Sequence, residues 1–233
     1  MKQSGFKARF GIAVVIVVGI LSAARLGATM DAERTPLGES ATKTLFSAEK
    51  MRGAVLGLDG LIADIYWMRS LQYIGAKIVA AGTEVNIDDL RGLEANELHP
   101  LLDASTTLDP HFLAPYSYGA VVLPAIDPQK AVELAEKGIR NNPGEWRLYQ
   151  HLGFIHWRLG RFSEASATYR RGSEIDGAPP FMGLMAARLS DEGGSPAVAR
   201  QMYLDVINNT SDVQIKSIAS RRILEIDRSE GAR

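Results

Sequence analysis

At 233 residues the chain has room for one or two domains, and with 46% apolar and 23% charged residues it can bury an ordinary globular core. A formal net charge of −1 gives no electrostatic case for nucleic acid or for an acidic substrate. The absence of cysteine excludes disulfides, thiolate metal sites, a cysteine nucleophile and a lipid anchor on cysteine, and it suits an oxidising or a reducing compartment alike.

Residues 1–28 form the first predicted element. Lys2, Lys7 and Arg9 precede an uncharged run of Val, Ile, Ala and Gly over residues 10–24, which Arg25 closes. Such a run spans only about 22 Å as a helix against a hydrocarbon core of roughly 30 Å. Extended to Phe6 and Ala28, with the flanking basic side chains reaching the headgroups, it comes into the spanning range. A retained anchor is one reading; a cleaved secretory signal is the other, since Ser22, Ala23 and Ala24 supply small residues at cleavage-site offsets. Both put the N-terminus in the cytoplasm and the rest of the chain outside it, in the periplasm of a bacterium, because the basic residues precede the segment and Asp31 and Glu33 dilute those after it. Gly19, Ala23 and Gly27 recur every four residues, a small-residue stripe on which another membrane helix could pack.

Residues 29–40, with Pro36, Gly38 and several charges, read as a linker. Residues 41–111 are expected to be an irregular helical region. Between 41 and 80, Leu45, Ala48, Arg52, Val55, Leu58 or Asp59, Ile62, Ile65 or Tyr66, and Met68 recur at three and four, with a break expected near Gly57–Gly60. Residues 81–92, containing Gly82 and Asn86-Ile87-Asp88-Asp89, form a long loop, and a second helix ends before Pro110, with Leu98, Leu102, Ser105 and Leu108 on its packing side.

From residue 112 to 213 three stretches fall into step at a spacing of 34. Gly119, Gly153 and Ala187 align, as do Ala131, Ala165 and Ala199, then Ala135, Tyr169 and Tyr203. A small residue early, an alanine in the middle and a turn at the end of a 34-residue period is the signature of a helix–turn–helix repeat. Glycine or alanine at the first position lets two antiparallel helices approach closely, while Leu134, Tyr169 and Tyr203 fill the gap from the second helix.

The best-formed copy, residues 146–172, resembles the tetratricopeptide repeat. Leu152-Gly153 stands at that family's close helix contact, Gly160 at the inter-helix turn, and Phe162, Ala165, Tyr169 and Gly172 at the packing positions of the second helix. It departs from the pattern where His156 replaces a large aromatic residue and where Gly177 precedes the expected proline. Residues 58–110 look like a degenerate earlier copy whose turn is replaced by the long loop. Ala63-Asp64-x-x-Trp67 is similar to a stretch found ahead of degenerate repeats in membrane-anchored bacterial proteins, a likeness that carries no function. Residues 214–233 read as a capping helix and tail, with Ile215, Ile218, Ala219, Ile223 and Ile226 on one face and Lys216, Arg221 and Arg222 outside. The expected fold is therefore all-α: an N-terminal transmembrane helix followed by an α-α superhelical solenoid.

Nothing in the chain points to catalysis, a metal or a cofactor. His99, His111, His151 and His156 have no H-E-x-x-H setting, the glycines make no phosphate loop, and no serine sits in G-x-S-x-G. The resemblance instead implies a groove lined by the first helix of each unit. Carried over, its positions are Leu113, Tyr116, Ala120 and Leu123; then Arg147, Gln150, Phe154 and Trp157 with Arg158 beside them; then Phe181, Leu184, Arg188 and Asp191. An apolar, aromatic floor edged with arginine suits a protein partner rather than a small-molecule substrate. The partner-binding residues expected are Tyr116, Arg147, Gln150, Phe154, Trp157, Arg158 and Arg188, although Phe154 and Trp157 could equally pack on the next repeat or on the long loop. Two functions remain open: a non-catalytic membrane-anchored scaffold that docks a protein on the extracytoplasmic side, and an accessory subunit held in a larger membrane complex through its N-terminal helices.

Overall fold

The computed structural model describes residues 57–82 and 85–231, together with residue 48. The chain divides into two units, Met1–Thr44 and Leu45–Arg233, and all of the described residues belong to the second. The segment expected to enter the membrane, with Gly19, Ala23 and Gly27, lies outside them. Among the described residues every regular element is helical, and no helix is long and apolar enough to cross a membrane.

Among the described residues nine α-helices follow in order: α1 (Asp59–Ala81), α2 (Leu98–Leu108), α3 (Leu113–Val122), α4 (Pro128–Asn141), α5 (Trp146–Arg158), α6 (Phe162–Ser173), α7 (Phe181–Glu192), α8 (Pro196–Asn209) and α9 (Val213–Gly231). Each packs on its neighbour in the chain, and α2 also meets α4, α3 meets α5 and α7 meets α9. α1 and α2 are joined by the long loop, which is held down where Leu90 is buried and its N–H donates to Ala125 O at 2.8 Å.

The 34-residue step reappears in the helix starts: α4, α6 and α8 begin at 128, 162 and 196. Asp127 caps α4 by accepting from the N–H groups of Gln129 and Lys130, and Pro128 occupies its first turn, where a missing N–H costs nothing. The turns into α6 and α8 pass through Gly160 and Gly194, also 34 apart, at φ of 70° and 81°, a left-handed conformation that favours glycine. Before α4 the corresponding residue is Ile126, and there a short 3-10 turn, Leu123–Ala125, makes the reversal instead.

The expected close contacts between paired helices are present. A Cβ added at Gly153 would lie 2.6 Å from the Tyr169 ring, and one at Gly119 would overlap Leu134. Ala187 and Tyr203 are both fully buried in one cluster with Ala199. One core runs from α1 to α7, a second joins α7 to α9, and Met202 packs against both.

The last helix differs from expectation at Ile218, Arg222 and Lys216, the last being half-buried rather than outside. Ala219, Ile223 and Ile226 are buried, but Ile218 is exposed, at the edge of the arc they define. Arg222, expected outside, is half-buried, and its guanidinium bonds Asp191 Oδ2 at 2.7 Å and Glu225 Oε2 at 2.6 Å. The carboxylate of α7 draws it onto the inner side.

Candidate functional site

α5 presents the most distinctive surface among the described helices. It starts at Glu145, whose carboxylate accepts from the N–H and guanidinium of Arg147, and at Tyr149, whose hydroxyl donates to Pro143 O at 3.1 Å. Leu148, Tyr149, Leu152, Gly153, Ile155 and His156 face inward and are buried. The opposite arc holds Arg147, Gln150, Phe154, Trp157 and Arg158, which therefore share one side of the helix.

Within that arc Phe154 and Trp157 are 41% and 37% exposed and lie against each other, with ring centroids 5.6 Å apart and planes tilted by 55°. Their partner is each other, one helical turn away. The long loop touches this face at its end, where Asp88 Oδ1 lies 4.0 Å from Arg158, and Asp89 is engaged by Arg91, whose guanidinium lowers its carboxyl to about 2. At the other end Arg147 lies over the Trp146 ring at 4.5 Å, and Trp146 in turn meets Phe181 of α7 edge-on at 6.4 Å. Gln150 is half-buried on the same side of the helix. Two partly solvated aromatic rings bracketed by cations give flat apolar area with charged ends, and the rings hold each other in place before anything binds.

Arg188 is exposed on α7, tied to Glu192 at 2.7 Å. Phe181 and Leu184 are half-buried in packing contacts, and Asp191 is taken up by Arg222.

Tyr116 is a correction. It was expected on the open face, yet it is fully buried; its ring rests on Gly138, and its hydroxyl accepts from Asn141 Nδ2 at 3.1 Å and bonds Thr106 O at 3.5 Å. Ala120 and Leu123 are buried with it. α3 sits one residue out of step with α5 at this point, so that Tyr116 takes the place that Tyr149, 33 residues later, takes against Gly172. The open side of α3 is instead Ala114, half-buried Ser117 and Tyr118, and Val121.

Two further surface features lie away from α5. A cleft of about 480 Å³ opens where the end of α6, the 178–180 turn, α7 and α8 meet; its lining comes from separate elements, so no local motif announces it. The other is a run of apolar side chains exposed on α1, whose only sequence signal is regular three-and-four spacing.

The histidines do not converge. His111 bonds Asn142 Oδ1 through Nδ1 at 2.9 Å, and His99, His151 and His156 are each held below the ordinary imidazole value by burial. His156 Nδ1 is buried without a hydrogen-bond partner, and Arg161 adds to the depression. Among the described residues no group of three or more His, Asp or Glu is placed to hold a metal ion. Compared with known proteins, the chain matches no protein-family model and no curated sequence.

Proposed function

We propose that this protein is a non-catalytic scaffold of the tetratricopeptide type, anchored in a bacterial membrane by its N-terminal segment, which docks a protein partner on the extracytoplasmic side through α5. What carries this reading is the exposed Phe154–Trp157 pair, flanked by Arg147 and Arg158 on a helix whose other face is fully committed to the core. Helix starts 34 residues apart and left-handed turns at Gly160 and Gly194 support the repeat type. Aromatic residues dominate binding hot spots because they bury large area with few rotors, and arginine because its planar guanidinium donates several hydrogen bonds and stacks on rings; α5 presents both. The basic start and uncharged run of residues 1–28 support the anchor and its orientation.

The test is a photo-crosslinking residue at Gln150 in native membranes, with the captured partner then titrated against variants. Trp157→Ala with Arg147→Ala should weaken that partner by about thirtyfold or more, leaving far-UV circular dichroism and melting temperature nearly unchanged. Unchanged capture by the double variant, together with loss of the partner on changing Gly19, Ala23 and Gly27 to Leu, would move the interface to the N-terminal helices and leave an accessory subunit of a membrane complex as the function.

A further inference from the structure

α1 has two faces, and only one is used by the fold. Ala63, Tyr66, Ser70 and Tyr73 are buried against α2 and its neighbours. On the opposite side Leu58, Leu61, Ile65 and Met68 are 54%, 58%, 44% and 52% exposed. Their spacing is three, four, three; Gln72, Gly75 and Val79 continue the alternation, and Val79 is 81% exposed. Seven positions alternating in this way have the a and d spacing of a heptad repeat over about 31 Å of helix, five of them apolar side chains on one exposed side.

We propose that α1 is a dimerisation helix, paired in parallel with α1 of a second copy of this chain. Charge selects that occupant. With Leu58, Ile65, Gln72 and Val79 at a and Leu61, Met68 and Gly75 at d, Asp64 falls at a g position and Arg69 at the e position five residues on. In a parallel pair g of one helix faces that e of the other, so Asp64 meets the partner's Arg69, and two-fold symmetry repeats the contact. Both side chains are exposed, and neither makes an ion pair among the described residues. An antiparallel pair sets g against g and e against e, so the two charges never meet. The seam residues agree: β-branched Ile65 and Val79 at a, with Leu61 at d, favour two strands, and one polar residue at a, Gln72, fixes the register. A parallel arrangement is also what two copies anchored through the same N-terminal segment require; this last point rests on the anchor, and the others stand without it.

The test uses the full chain in detergent micelles and its natural lack of cysteine. Leu61→Cys and Met68→Cys, made singly, should each give under mild oxidation a disulfide-linked species of twice the 25.3 kDa chain mass, whereas Ala167→Cys on the exposed side of α6 should not. Asp64→Arg or Arg69→Asp alone should raise the dimer dissociation constant by roughly three- to tenfold, and the two together should restore it, because the swap recreates the pair across the seam. A protein that stays monomeric at tens of micromolar by sedimentation overturns the proposal. So does a dimer indifferent to the charge swap, or one that survives Leu61→Glu with Met68→Glu but is lost when Gly19, Ala23 and Gly27 become Leu.

Discussion

Gly153 is where α5 and α6 close on each other, and adding a single methyl group there measures how closely. The new Cβ would stand 2.6 Å from Cδ2 and Cε2 of Tyr169 and 3.2 Å from its Cγ, against about 3.5–4.0 Å for an ordinary carbon contact. The ring must retreat by roughly 1 Å, and it is buried against the core on its other side. Overpacking of this kind costs about 1–3 kcal/mol, whereas exchanging glycine for alanine inside a helix returns about 1 kcal/mol. Gly153→Ala should therefore destabilise by about 1 kcal/mol net, a fall of about 2–4 °C in melting temperature for a domain of this size, and Gly153→Leu by about 3 kcal/mol or more. Glu164→Ala, on the solvent side of α6, is the control and should stay within about 0.5 kcal/mol. Urea denaturation followed by circular dichroism gives the free energies. A double-mutant cycle with Tyr169→Leu, which makes room for the methyl, should recover about 0.5–3 kcal/mol of coupling. If Gly153→Ala raises stability by its propensity gain, or if the Tyr169 cycle shows no coupling, the close approach of α5 and α6 is not real.

Lys137 ties α4 to α2: its ammonium donates to Asp103 Oδ1 and to Thr107 Oγ1, each at 2.7 Å, and to Asp103 O and Thr106 Oγ1 at 3.0 Å. Because the site is partly solvated, Lys137→Met should cost only about 1–2 kcal/mol by urea denaturation, and a cost near zero would show that the four contacts contribute nothing net. Burial holds His99, His151 and His156 below the ordinary imidazole value, so the unfolded chain takes up protons first as pH falls through about 6.5. Their contribution to stability should be constant above that pH and fall below it, and His156→Gln should reduce the loss between pH 7 and 5.5; the charged groups nearest His156 are Arg161, Glu164 and Glu136. Arg222→Ala should release α9 from α7 by removing the Asp191 bond, seen as faster amide exchange across residues 213–231 with α5 and α6 unaffected; uniform exchange throughout would mean that the last helix is not a separate unit.

How much of this was legible beforehand depended on how local each signal is. The turn at Gly160 was readable because its signal is local, and the signals at the other helix starts, Asp127 at a cap, Pro128 and Pro196 in first turns and Gly194 in a left-handed turn, are of the same local kind, although the 34-residue register was drawn without them. The close pairings of Gly119 with Leu134 and Gly153 with Tyr169 were readable too, because two antiparallel helices on a short turn leave few ways to bring those residues together. Which face of a helix is covered is set by residues far along the chain, and no local pattern holds that information. Tyr116 and Gln150 occupy the same place in the 34-residue period, yet Tyr116 is buried because Thr106, Gly138 and Asn141 surround it, while Gln150 stays half open. Arg222 turns inward for a carboxylate 31 residues away. On α1 both Tyr66 with Tyr73 and Leu61 with Met68 satisfy a helical period, and the sequence offers two apolar sides with no means of ranking them; only the docking of α2, with Ser105 Oγ donating to Ala63 O at 2.9 Å, decides which is core and which remains in contact with solvent.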